Sequence, residues 1–180
     1  MEITKTTIEG LLILQPKVFG DDRGYFFESW NKKKFKSIDI DLDFVQDNQS
    51  LSQKGVLRGL HFQTPPYEQG KLVRVIKGSV LDVVVDIRRM SPTYGQHFKI
   101  ILSEQNNKSL WVPPGFAHGF AALEDNTIFS YKCTGLYNKL SEVTIAWNDK
   151  DLNIDWDVKN PLISEKDMIS VDFKYFESEF

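Results

Sequence analysis

The chain has 180 residues, a mass of 20.8 kDa and a formal charge of −3, from 22 Lys and Arg against 25 Asp and Glu, with a pI near 5.6. That balance gives no chain-wide attraction to nucleic acid or to an anionic membrane, so an anionic ligand must be held by a local cluster of cations. One cysteine, Cys133, excludes an internal disulfide and any multi-cysteine metal site, and no apolar run approaches the ~20 residues of a membrane span. The N-terminal MEITKTTIEG lacks the basic-then-apolar layout of a signal peptide, so a cytoplasmic enzyme or binding protein is expected.

In chain order, the first expected element is a short helix over SWNKKKFKS (29–37), basic on its outer face, with KKK at 32–34 read as a solvated surface. VLRGLHFQ (56–63) reads as a strand. LVRVI (72–76), SVLDVVVDI (79–87), FKIILS (98–103), LWV (110–112), TIFSYKC (127–133) and VTIAW (143–147) read as strands too, β-branched or aromatic runs with period-2 character. Turn signals separate them: GDDRG at 20–24, KG at 54–55, TPP at 64–66, KG at 77–78, SPTYG at 91–95, EQNN at 104–107 and PPG at 113–115. The tail from about 164 to 180 has room for another turn or two of helix. With 13 Phe, 6 Tyr and 4 Trp, the pattern describes one all-β domain over 1–180, a sandwich or barrel with short peripheral helices.

Three histidines invite chemical readings. In strict alternation Leu57, Gly59, His61 and Gln63 share one face while Val56, Arg58, Leu60 and Phe62 take the other, which points Arg58 and His61 apart. Gly59 between them is the residue a β-bulge needs, and a bulge re-aims side chains and so allows the two to converge without requiring it. His118 follows a Pro113-Pro114-Gly115 turn in WVPPGFAHGF, a loop able to hold it in one place. P-x-G-x-x-H resembles the second signature of the cupin superfamily, a jelly-roll barrel in which many members bind metal. The usual H-x-H of the first signature is here His61-Phe62-Gln63, and an amide is a poor substitute for imidazole at a transition metal. His97 has no ligand-like spacing to either of the others, so no metal site is expected.

Arg23, Arg58 and Lys71 each lie next to glycine or its neighbour. A guanidinium fork suits phosphate oxygens, and a lysine suits an oxyanion. Tyr131 and Tyr137 in YKCTGLY add weak acids with an ordinary pKa of about 10, which can deliver a proton when held against a carbanion. Each of these side chains also has a bland structural reading, as a surface ion-pair partner or an ordinary sheet residue.

Together FGDDRGYFFESW, FVQDNQSLSQKGVLRGLHFQ, QGKLVRVIKGSVLDVVVDIRRMSPTYG, WVPPGFAHGF, YKCTGLY and ISEKD resemble the dTDP-4-dehydrorhamnose 3,5-epimerases, in order and at that family's spacing, from about residue 4 to 170. The resemblance implies a cupin-type jelly roll and a reaction without cofactor or metal on a dTDP-linked 4-keto-6-deoxyhexose. It implies His61 as base, Tyr131 as proton donor on the other face, Asp167 as partner of the histidine and Lys71 beside the C4 oxygen. Substrate contacts carry over to Arg23, Glu28, Gln46, Asp47, Asn48, Arg58, His118, Glu142 and Lys166, with Tyr137 stacking on sugar or nucleotide. It further implies a homodimer whose exchanged N-terminal strands complete the neighbour's site. Close alternatives are an epimerase acting at C3 or C5 alone, a metal-dependent cupin, and a sugar-binding module without catalysis.

Overall fold

The computed structural model describes residues 1–38, 40 and 42–180. Its strands are β1 (Glu2–Lys5), β2 (Leu12–Gln15), β3 (Phe19–Asp21), β4 (Gly24–Phe26), β5 (Gln46–Ser52), β6 (Leu57–Gln63), β7 (Lys71–Lys77), β8 (Ser79–Asp86), β9 (His97–Ser103), β10 (Ser109–Val112), β11 (Phe116–Ala122), β12 (Thr127–Cys133) and β13 (Glu142–Thr144). Two short helices, α1 (Lys32–Lys36) and α2 (Glu165–Met168), and a 3-10 turn at Phe173–Tyr175 lie outside the sheets.

One sheet has the order β1-β2-β10-β7-β12-β5 and the other β13-β6-β11-β8-β9, while β3 and β4 form a separate ribbon. Pairings are antiparallel, and both sheets interleave strands from distant parts of the chain, which makes the all-β jelly-roll barrel that the sequence leads one to expect. Between the sheets lie Val73, Val75, Val80, Val84, Leu110, Phe120 and Phe129. A second apolar layer covers the outer face of the five-stranded sheet, where Leu57, Leu60, Phe62, Leu81, Val83 and Val85 meet Ile145, Trp156 and the tail residues Phe173, Phe176 and Phe180. With both its faces covered, β8 is buried along its whole length and reads as a nearly continuous apolar run.

The helices are set by local chemistry. Asn31 accepts a hydrogen bond from the Lys34 amide and caps α1, an arrangement worth about 1 kcal/mol, so the helix begins at 32 instead of 29. It buries Phe35 against Leu14, Leu72 and Trp111, adding about 2 kcal/mol. Ser164 caps α2 through the Asp167 amide. The two turns of the tail are thus present. The expected strand over 143–147 is shorter: β13 stops at Thr144, and Ile145 bridges in parallel to Val171, joining the tail to the sheet. The strand expected to reach 87 ends at Asp86, whose carboxylate turns to Arg88, Ser91 and Thr93. Burial opposes its ionisation, yet those hydrogen bonds outweigh burial and hold its pKa down at about 2.

Candidate functional site

Between the two sheets, at the end where apolar side chains give way to polar ones, lies a cavity of about 350 Å³, within the range of small-molecule sites. The five-stranded sheet sends in Arg58, His61, Gln63 and Glu142 from β6 and β13, with His118 from β11. The six-stranded sheet sends in Gln46 and Asn48 from β5, Lys71 from β7 and Tyr131 from β12, and Tyr137 and Lys166 stand at the rim.

Strict alternation fails along β6, at the glycine the sequence flags. Leu57 points into the outer apolar layer and Arg58 into the cavity; beyond Gly59, Leu60 and Phe62 again face outward while His61 and Gln63 face in. The ladder to β11 shifts register between His118 and Phe120. Gly59 has φ +137°, and a Cβ there would sit 2.5 Å from the Gly119 Cα, so both a backbone requirement and a close approach demand glycine. The bulge brings Arg58 and His61 to one side.

His61 faces His118 across this ladder. Its Nε2 lies 2.5 Å from Asp167 Oδ1 on α2. The carboxylate accepts, which puts a proton on Nε2, so that in the neutral imidazole Nδ1 is the accepting nitrogen. Asp167 is 3 % exposed. Burial opposes its ionisation, but the hydrogen bonds from His61 and Ser164 and the nearby Lys166 charge prevail, and its pKa falls below the ordinary 3.8. His118 Nε2 donates to Asp82 of β8, 3.1 and 2.9 Å from the two oxygens. Asp82 is fully buried, and that burial raises its pKa against the opposing pull of His118 and Lys71.

Lys71 Nζ donates to the His61 carbonyl at 3.3 Å, and burial pushes its pKa down although Cys133, Glu142 and Asp82 pull it up. On the same sheet as Lys71, opposite His61, burial raises the Tyr131 pKa, so the phenol holds its proton at neutral pH. At the rim Glu142 accepts from Tyr137 Oη at 2.8 Å and from Lys166 Nζ at 2.6 Å. Burial works against its charge, but these donors win and its pKa is lowered. Inside, Gln46 donates to Asn48 and accepts from the Tyr137 amide, and Arg58 Nε donates to Ser52 Oγ at 3.2 Å.

Three of the residues singled out from sequence lie elsewhere. Asp47 turns to the outer face of its sheet and pairs with Lys132 at 2.8 Å. Arg23, its side chain 90 % exposed, pairs with Asp21 in the β3–β4 turn, and Glu28 pairs with Lys34 at 2.7 Å beside α1. His118, expected in a loop, sits within β11, because the Pro-Pro-Gly turn ends at 115 and the strand starts directly after it. Sequence reasoning missed Asp82. Its signal was a carboxylate inside SVLDVVVDI, which a fully buried strand tolerates only with a partner.

Gln63 is 4 % exposed and serves the loops: it donates to the Tyr67 and Leu136 carbonyls and accepts from the Asn138 amide. Among the described residues no three His, Cys, Asp or Glu side chains gather where they could hold a metal ion. This donor set does not fit a cupin metal centre.

The chain is similar to known proteins along most of its length. The family model for dTDP-4-dehydrorhamnose 3,5-epimerase matches residues 5–174. A relative of that name from Shigella flexneri is 52% identical over 180 residues, covering 98% of this chain and 99% of its own. The dTDP-6-deoxy-D-glucose-3,5-epimerase of Legionella pneumophila, solved in complex with dTDP-4-keto-L-rhamnose, is 46% identical with a TM-score of 0.94, covering 98% of this chain and 94% of that one. ChmJ of Streptomyces bikiniensis, a 3'-monoepimerase solved with dTDP-quinovose, is more distant at 30% identity and a TM-score of 0.87, covering 93% of this chain and 85% of that one. The chain belongs to the dTDP-4-dehydrorhamnose 3,5-epimerase family.

Proposed function

We propose that this cavity binds dTDP-4-dehydro-6-deoxy-D-glucose and inverts C3 and C5 to give dTDP-4-dehydro-L-rhamnose, with His61 as the base. The C4 ketone acidifies the protons on both neighbouring carbons, so one base beside one carbonyl serves both centres. His61 Nδ1 takes the proton. Asp167 holds the imidazole in that tautomer and stabilises the imidazolium that forms. The electrons of the broken C–H bond move to O4, and Lys71 stabilises the resulting enolate, a contact worth about 3–4 kcal/mol of barrier by analogy with other oxyanion donors. Tyr131 then returns a proton to the opposite face of the carbon. Before the second carbon reacts, His61 gives its proton to water and Tyr131 regains one from water, its burial favouring the protonated phenol.

The observation that carries this reading is that His61 and Tyr131 project into one cavity from opposite sheets, as inversion at carbon demands. Gln46, Asn48, Arg58, His118, Tyr137, Glu142 and Lys166 line the same cavity and supply substrate contacts. Arg23, Glu28 and Asp47 do not reach it within one chain. For Arg23 and Glu28 the reading is that they act in the site of a second copy, in a homodimer. The β3–β4 ribbon supports this by exposing Phe19 (55%), Tyr25 (62%) and Phe26 (68%), which a partner would cover. A cytoplasmic location goes with the reading. Its support is the lone, buried Cys133 and, among the described residues, the lack of any helix long and apolar enough to cross a membrane.

Incubation with dTDP-4-keto-6-deoxyglucose in D₂O, followed by NMR, tests the reaction. Deuterium at both C3 and C5 is expected. Label at one carbon would make the protein a single-position epimerase, and no label would leave it a binding module.

A further inference from the structure

The inward row of β5 is polar throughout, with Gln46, Asn48, Ser50 and Ser52 alternating with the more exposed Asp47, Gln49 and Leu51. Three members of the row are satisfied inside the protein: Gln46 with Asn48 and Tyr137, Asn48 with Cys133, and Ser52 with Arg58. Ser50 is different. Its Oγ is shielded from solvent and has no hydrogen-bond partner in the protein, although Ser50 lines the cavity that also holds Arg58, His61 and Lys71. A hydroxyl can donate one hydrogen bond and accept two, and leaving it buried and unpaired is unfavourable unless something else pairs with it.

The position of Ser50 says what that partner is. Across the ladder it stands opposite Phe129, a core residue, whereas the rim of the cavity is formed by Tyr137, Glu142 and Lys166 further along the chain. Ser50 therefore lies at the deep end of the cavity, away from its mouth and one inward-facing position along the ladder from the pair Asn48 and Tyr131. We propose that Ser50 Oγ hydrogen-bonds a ring oxygen substituent of the hexose, fixing how the ring sits between His61 and Tyr131. This rests on the reading of the cavity as the site of a nucleotide-linked ketohexose. A site that offers a buried hydroxyl to a sugar hydroxyl gains discrimination, because a mispositioned ring leaves both unpaired.

The test compares Ser50→Ala with the unaltered protein in three measurements: kcat/KM on dTDP-4-keto-6-deoxyglucose, the Kd for dTDP alone, and the thermal midpoint. Loss of one such hydrogen bond lowers kcat/KM about tenfold. The Kd for dTDP, which has no hexose, stays within twofold. The midpoint stays level or rises, since an unpaired buried hydroxyl has been removed. A structural serine gives the opposite pattern. A fall in kcat/KM smaller than threefold, an equal loss of dTDP affinity, or a lowered midpoint overturns the proposal. Ser50→Cys keeps the volume while weakening the bond, and carries the same comparison if the alanine chain does not fold. Failure of the underlying reading shows separately, as unaltered protein that neither binds dTDP nor converts the ketosugar.

Discussion

Two histidine–carboxylate pairs stand side by side on neighbouring strands, His61–Asp167 and His118–Asp82, and their surroundings drive them apart. The first straddles a boundary. The His61 side chain is 26% exposed to the cavity, and its carboxylate comes from a short helix that Ser164 caps, outside the barrel. The second is enclosed, with His118 at 7% exposure and Asp82 at 0%, inside a strand covered on both faces. Donors surround Asp167 and lower its pKa, whereas burial dominates at Asp82 and raises it. The same two residue types thus give one pair suited to exchanging a proton with a ligand and one whose disruption strands a polar group in the core.

This difference can be broken by exchanging the effects of two substitutions. Asp167→Asn should lower kcat/KM about 10³-fold by spoiling the tautomer of His61, with a smaller loss of unfolding free energy than at Asp82 because the asparagine keeps an acceptor oxygen, read by steady-state kinetics and urea denaturation. Asp82→Ala should instead cost about 3 kcal/mol of stability, because the His118 donor is left buried without its acceptor. Equal stability losses at the two positions would erase the distinction.

A smaller effect separates the pairs by pH. Asp167 has a folded pKa below its ordinary value of 3.8, so its contribution is present above that pH and is lost as pH falls through the lower folded value. The deficit of Asp167→Asn should therefore shrink in acid. Asp82 has a folded pKa above 3.8, so the folded state binds its proton first, and falling pH relieves the cost of its burial. The deficit of Asp82→Ala should widen as pH drops toward 3.8. Denaturation midpoints measured over a pH series report both slopes, and parallel slopes would contradict the contrast.

The parts of the fold that were legible in sequence are those that face the core. β7, β8, β9, β10 and β12 carry β-branched runs between turn signals and appear within a residue or so of the expected spans. β5 was not legible, because QDNQSLS lines a polar cavity on one face and has no alternation of apolar residues to betray it. β11, FAHGFAA, hides its strand character behind small residues that allow the close approach of Gly119 to Gly59. For the site, Gly59 announced its bulge, since only glycine suits φ +137° with another backbone 2.5 Å from its Cβ position. The pairing of His61 with Asp167 spans 106 residues, and only resemblance to a family linked them before the structure did. Asp82 and Ser50 were passed over, the one inside an apolar run and the other inside a polar stretch.

If one histidine removes both protons, isotope exchange at both carbons depends on His61, and His61→Ala decides it. With dTDP-4-keto-6-deoxyglucose in D₂O, the unaltered protein should place deuterium at C3 and C5, and the variant should place it at neither above the level without protein. Persistent exchange at either carbon in His61→Ala would contradict the account.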